Sequence, residues 1–434
     1  MRMRAVWRTA LWLGLLILVA MLLVACTPSP EMNVVTYLLE DRLGTAGPDA
    51  DERPTGSLTG SVLYQGEPVE GAAVVVAERW GEPHTAFTDA DGRYRIEGIP
   101  PGQYVPAAVA VDFQEAVPQD RFGLPHLVTI ASGETTEAPD IELTPYQTAP
   151  LPNPLAEAVS LTELGSYTST APFPAGSASQ VQNFSFEIDG VVNDSLRVYL
   201  PIDAEPGATY PMLFVVYPGP TENWEDISVA LSAPGYAVVA LAPAGVRGLD
   251  IDGHALDARI AFNLALDGAL GPGISDAPAV VMGGSFSSPI VRRFLLDESD
   301  KVAGWITLGG ISDGFRLARD FYSGEITVPE MHNLAIPSLG LPNLYPLPFL
   351  HYSTIYTAGE LVPTFVIHTM ADEVTRVEQA QELVAALQTA GIPVEVDYYD
   401  DVSHYLQIGE YMTEASKEMY YAVLDFVQRY TSTQ

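Results

Sequence analysis

Four short, uninterrupted apolar runs, at residues 212–217, 237–241, 279–282 and 302–308, constrain the fold of this chain more than any other feature. A strand with one wet face alternates apolar and polar residues, whereas a run without alternation is apolar on both faces and belongs inside a parallel sheet covered by helices. Two later runs extend the series: Thr364-Phe365-Val366-Ile367-His368 and Val394-Glu395-Val396-Asp397-Tyr398. Helical periods lie between the runs, clearest over 377–390 and 412–430, and this alternation is βαβ wiring with right-handed crossovers. Ahead of it, Phe184-Ser185-Phe186-Glu187-Ile188 and Leu196-Arg197-Val198-Tyr199-Leu200 flank Asp189-Gly190, a hairpin turn signal. Residues 181–434 therefore read as one α/β domain with a mostly parallel sheet flanked by helices. The stretch 312–360 breaks the rhythm with Pro329, Pro337, Pro342, Pro346, Pro348 and many aromatics. An insertion of that length in a compact domain is usually functional, and a cap over a site is the expectation.

At 434 residues the chain has room for a second unit. Residues 56–145 supply it: short apolar runs such as Ser61-Val62-Leu63-Tyr64 and Ala73-Val74-Val75-Val76 are separated by turn residues at the spacing of an all-β sandwich. Asp89 and Asp91 have the look of a calcium loop, but the Gly92 that follows and the missing remaining ligands favour a tight turn. Residues 146–180, rich in Pro, Ser, Thr and Ala, are expected to be an interdomain linker. Residues 26–55 read as a tether, although 34–39 are apolar. Before them, Arg2, Arg4 and Arg8 precede an apolar run at 10–22 that is short for a membrane span, as in a secretory signal covering 1–25. The formal net charge of −35 argues against nucleic acid or an anionic membrane surface as a partner. Cys26 is the one cysteine, which excludes intrachain disulfides and cysteine-based zinc sites.

Chemistry concentrates in Val280-Val281-Met282-Gly283-Gly284-Ser285-Phe286-Ser287-Ser288, with a helical pattern after it. A strand that runs through Gly-x-Ser-x-small into a helix is a nucleophile elbow, in which the serine occupies a strained turn and its neighbours must be small. Ser287 replaces the usual glycine, and a serine is small enough to fit. The Phe286 N–H, at the start of the helix, would face a developing oxyanion. A serine hydroxyl is too weak an acid to ionise near neutrality, so it needs a base and a group that orients the base. Of the seven histidines, His404 is the one that follows both a late strand and a carboxylate candidate. Asp372 and Asp313 compete for the acid, while Glu373 reads as solvated and His368 as a structural histidine. No His-x-x-x-His pattern suggests a metal, and no cofactor is expected. A second oxyanion donor should come from the loop Tyr217-Pro218-Gly219-Pro220-Thr221. Pro220 has no N–H, which leaves Gly219 or Thr221; Tyr217 could offer a hydroxyl there, but packing is the expected role of an aromatic at a strand end.

Three resemblances follow from these residues. Leu23-Val24-Ala25-Cys26 resembles the lipobox of bacterial lipoproteins, which implies an acylated Cys26 and an exported, membrane-anchored protein facing away from the cytoplasm. The segment from Thr88-Asp89-Ala90-Asp91-Gly92-Arg93-Tyr94 to Gly98-Ile99-Pro100-Pro101-Gly102-Gln103-Tyr104 resembles the carboxypeptidase regulatory-like domain, a transthyretin-like accessory sandwich. The order of Ser285, the segment His368-Thr369-Met370-Ala371-Asp372-Glu373-Val374 and His404 resembles the end of the dienelactone-hydrolase and prolyl-oligopeptidase-like α/β-hydrolases, where the aspartate matching Asp372 is the triad acid. That resemblance implies a serine hydrolase acting on a small ester or peptide, with ester hydrolysis favoured over peptidase action and over a non-catalytic surface scaffold; it says nothing of oligomeric state.

Overall fold

A computed structural model describes residues 30–44, 46–47, 54–203, 207–400, 402–404 and 412–432. The expected signal at 1–25 and Cys26 lie outside these residues. The β-rich unit contains β1 (Gly56–Tyr64), β2 (Glu67–Pro68), β3 (Ala73–Ala77), β4 (Pro83–Phe87), β5 (Arg93–Ile99), β6 (Gly102–Tyr104), β7 (Ala107–Val109), β8 (Val128–Ile130), β9 (Thr135–Glu137) and β10 (Ile141–Glu142). β1 is its spine, pairing antiparallel with β2 and β5 and parallel with β9 and β10. Asp89 Oδ1 accepts the Asp91 and Arg93 amides at 3.0 and 2.9 Å, and Gly92 takes φ 69°, so this segment is a tight turn.

β3 lies between β4 and β7 and is buried at every position. Val74 and Val76 fill the sandwich's own core with Leu58, Tyr94 and Ile96. Ala73, Val75 and Ala77 point the other way, onto Phe315, Ala318, Phe349 and Leu350 of the C-terminal domain. Alternation along a strand thus divides one run between two cores. The expected cap consists largely of short helices, and it is these that carry the sandwich.

The C-terminal sheet is built from β11 (Thr162–Thr170), β12 (Ala178–Ile188), β13 (Val191–Pro201), β14 (Met212–Val216), β15 (Ala237–Leu241), β16 (Ala279–Met282), β17 (Val302–Leu308), β18 (Thr364–Thr369) and β19 (Val394–Tyr399). The order is β11-β12-β13-β15-β14-β16-β17-β18-β19. β11 to β13 join antiparallel, and every pairing from β15 to β19 is parallel. Asp189 and Gly190, with φ of 52° and 77°, close the β12–β13 hairpin. The helices are α1 (Pro30–Leu43), α2 (Leu155–Ala158), α3 (Glu225–Ser232), α4 (Ile251–Leu266), α5 (Ser287–Glu298), α6 (Gly314–Tyr322), α7 (Ala335–Ser338), α8 (Pro346–His351), α9 (Val377–Ala390) and α10 (Glu414–Thr431). α4, α5 and α9 cover one face of the sheet, and α3 and α10 the other. This is the α/β-hydrolase-like layering the apolar runs require, behind a β-rich domain.

Two boundaries differ from expectation. The linker at 146–180 contains β11, an edge strand whose Thr- and Ser-rich sequence stays largely exposed. Such a strand needs backbone pairing on one side only, so its composition matches that of a loop. The tether at 26–55 contains α1, because Tyr37 packs on Phe321 and Tyr322 and the Asn33 amide donates to the Pro337 carbonyl at 2.7 Å. Tertiary contacts stabilise a helix too short to persist alone.

Candidate active site

β16 ends at Met282, and the chain turns through Gly283 and Gly284 into α5. Ser285 sits at this turn with φ 50°, a region that costs a side-chain-bearing residue strain. Closeness explains the small neighbours: a Cβ on Gly284 would lie 1.9 Å from the Leu308 carbonyl oxygen, and one on Gly283 would lie 2.6 Å from Val291 Cγ2. Ser287 is wholly buried and occupies the position where glycine was expected, with its Cβ at 3.4 Å from where a Gly283 Cβ would stand.

His404 comes from the loop after β19, and Asp372 from the loop after β18. Ser285 Oγ is 2.9 Å from His404 Nε2, and Asp372 Oδ2 is 2.8 Å from His404 Nδ1. With Nδ1 donating to the carboxylate, Nε2 accepts the serine proton. Asp372 is further held by the Val374 and Thr375 amides, both donating to Oδ1, at 2.9 and 2.7 Å. Burial pushes its carboxyl up, but the hydrogen bond and charge of His404 and the Thr375 amide outweigh burial, so it titrates below the ordinary aspartate range. The carboxylate is therefore charged near neutrality.

Asp313 is placed elsewhere. It is the N-cap of α6, accepting the Phe315 amide at 2.9 Å, with the Ser353 hydroxyl at 3.3 Å. Burial, then the nearby Glu382, raise it to about 6. Glu373 is beside the site, its carboxylate accepting the His404 amide at 3.3 Å. Tyr217 is a packing residue: it stacks on Trp224 with ring centroids 5.1 Å apart, and its hydroxyl is 2.8 Å from Ser228 Oγ.

β14 runs parallel beside β16, with Val215 level with Met282, so the loop after β14 and the elbow emerge together at the carboxyl edge of the sheet. Phe286 is the N-cap of α5, and its N–H precedes the helical ladder. Gly219 is half-buried and Thr221 fully buried, the first residue of the 3-10 turn Thr221–Trp224, and both remain candidates for the second donor. Among the described residues no cluster of His, Cys, Asp and Glu is arranged to hold a metal ion.

Three contributors were not legible from sequence. Thr375 Oγ1 donates to the Gly309 carbonyl at 2.8 Å and lies 3.2 Å from Asp372 Oδ2 and 3.3 Å from His404 Nδ1, tying the acid loop to the strand next door. His368, expected to be structural, lies with Nε2 2.8 Å from the Thr375 carbonyl and 3.5 Å from Asp372 Oδ2; burial lowers its basicity and keeps it neutral. His254, on α4, packs its ring edge-on against Phe286 with centroids 5.7 Å apart. A spacing of three residues from Asp372 to Thr375 was the available signal for the first, since it is that of an acid capping a turn.

Residues 57–144 match the carboxypeptidase regulatory-like domain, and residues 341–434 match the prolyl oligopeptidase family. No curated protein sequence matches the chain. Among solved structures, esterase B from Lactobacillus Rhamnosis is 13% identical, covering 61% of this chain and 88% of its own at a TM-score of 0.48. The Pyrococcus horikoshii acylaminoacyl peptidase is 15% identical, covering 84% of this chain and 55% of its own at 0.47. The Thermogutta terrifontis esterase Est2 is 13% identical, covering 56% and 88% at 0.41. Likenesses this distant add nothing to what the residues show. In its two matched segments the chain is similar to a carboxypeptidase regulatory-like domain and, after it, to part of a serine hydrolase.

Proposed function

We propose that the protein is a serine hydrolase that cleaves carboxylic esters through an acyl-enzyme on Ser285. The observation that carries this reading is the continuous path Asp372 to His404 to Ser285, at 2.8 and 2.9 Å, ending on a serine in a strained turn. His404 Nε2 takes the Ser285 proton as Oγ attacks the carbonyl carbon. Phe286 N–H, with that of Gly219 or Thr221, donates hydrogen bonds to the negatively charged oxygen that develops from the carbonyl. Collapse breaks the bond to the alcohol, which leaves with the proton held by His404, and water repeats the sequence to free the acid. Asp372 stabilises the imidazolium and fixes its tautomer.

The match of residues 341–434 to the prolyl oligopeptidase family favours a second reading, peptidase action at the same site. An aminoacyl amide panel beside an ester panel separates the two. The Leu23-Val24-Ala25-Cys26 segment supports acylation of Cys26 and an exported, envelope-anchored enzyme.

The deciding experiment is fluorophosphonate labelling with the modified peptide located by mass spectrometry. Labelling at Ser285 that disappears in Ser285→Ala and falls steeply in His404→Ala is the expected outcome. An intact, folded chain that takes no label would make it a non-catalytic scaffold.

A further inference from the structure

We infer that α1 is a membrane-docking helix whose outer face lies in the interfacial layer of a phospholipid bilayer with neutral headgroups. The inference rests on the anchor reading of Cys26. α1 has two distinct faces. One is packed on the protein: Asn33 donates to Pro337, Tyr37 meets Phe321 and Tyr322, and Glu40 pairs with Arg79 at 2.8 Å. The opposite face presents Val35, Leu38, Leu39 and Leu43, which are 50, 47, 58 and 76% exposed, with the exposed Arg42 among them. The spacings 35, 38, 39, 42 and 43 are those of one helical stripe. Large side chains with close to half or more of their surface exposed along a single stripe are an unpartnered apolar face, and a cation within it can reach outward to the headgroup oxygens.

Chain length selects the occupant. Three residues, Thr27 to Ser29, separate Cys26 from Pro30, so the start of α1 lies at most ~14 Å from an acylated Cys26 whatever path they take. Interfacial helices bury their apolar face about 5–10 Å into the headgroup boundary, within that reach. The net charge of −35 disfavours an anionic surface and selects neutral headgroups, so docking is apolar and insensitive to salt. Because the packed face of α1 holds α7 and Tyr322, docking would fix the enzyme against the membrane rather than let it swing on a flexible leash.

The test uses the full chain in phosphatidylcholine vesicles, with an environment-sensitive fluorophore on Leu39→Cys and, for reference, on Glu97→Cys in the sandwich. With Cys26 acylated, each introduced cysteine is the only free thiol. The expected result is a blue-shifted probe at 39, quenched several-fold more by spin-labelled lipid than by aqueous iodide, with the order reversed at 97 and no change on adding salt. Iodide quenching at 39 equal to that at 97, in vesicle-bound chain, would overturn the proposal. Mass spectrometry of the Cys26 peptide judges the anchor separately. If that thiol is free, the anchor reading fails, and the probe at 39 on a Cys26→Ser background still reports whether the face enters lipid or remains in water, supporting or overturning the docking helix.

Discussion

Glu115 of the sandwich reaches Arg292, on the helix that follows the Ser285 turn, at 3.1 Å, and the same carboxylate also holds Arg293 at 2.9 Å. All three side chains are buried, with Glu115 3% and Arg292 2% exposed. Arg292 extends the network to Thr357 and Glu360, so a single carboxylate joins the sandwich, the insertion and α5.

Removing Glu115 takes one carboxylate from two buried arginines, leaving Arg292 with Glu360 and Arg293 with Asp252. Glu115→Ala should lower the unfolding free energy, by less than the about 3–5 kcal/mol of a buried charge left with no partner, measured by urea denaturation. The pH dependence has a definite sign. Burial raises the Glu115 carboxyl, but Arg292, Arg293 and His351 together pull it down to about 2. A depressed carboxylate stabilises the fold above its unfolded value and loses that contribution as pH falls towards about 2. Wild type should lose stability progressively below about pH 4.5, and Glu115→Ala should lose less over the same interval.

The two aspartates separate by mutation. Asp372→Asn should reduce kcat/KM by about 10⁴-fold, because the amide favours the wrong imidazole tautomer. Asp313→Asn should change it by less than about tenfold, since asparagine caps a helix nearly as well as aspartate. Equal losses in both variants on an ester substrate would remove Asp372 from the role assigned to it.

Gly309 lies beneath Asp372 and His404. Its φ is 54°, and a Cβ there would stand 3.2 Å from both Asp372 Oδ2 and His404 Nδ1. Gly309→Ala should lower kcat by about 10²-fold through misplacement of the imidazole, with about 1 kcal/mol of lost stability from the left-handed backbone. A variant with normal kcat would show that the ring tolerates the shift.

His368 acts on the acid loop through the Thr375 carbonyl. His368→Phe leaves that buried carbonyl without its donor, a cost of about 1–3 kcal/mol. The expected outcome is a roughly tenfold fall in kcat with KM unchanged, and fluorophosphonate labelling of Ser285 slowed by the same factor. A rise in KM alone would instead place His368 in substrate binding.

How much of this was written in the chain differs from element to element. Apolar runs without alternation reported strands covered on both faces, because burial is a property of each side chain and accumulates locally. The Gly283 to Ser287 segment reported the turn for the same reason: steric limits on φ and on close approach act within a few residues. β11 and α1 were not legible, since an exposed edge strand and a short helix have the composition of loops and owe their structure to partners distant in sequence. The choice between Asp372 and Asp313 was likewise open on residue types alone, as each follows a strand of the same parallel sheet. Sequence by itself determined the layered α/β domain, the β-rich domain before it and the chemical identity of a serine, a histidine and a carboxylate. Tertiary structure decided which carboxylate meets the histidine, where β3 sends its second face, and that the sandwich grips the helix after Ser285. Those are distances between segments far apart in the chain, fixed by how the sheet closes and which buried charges find partners.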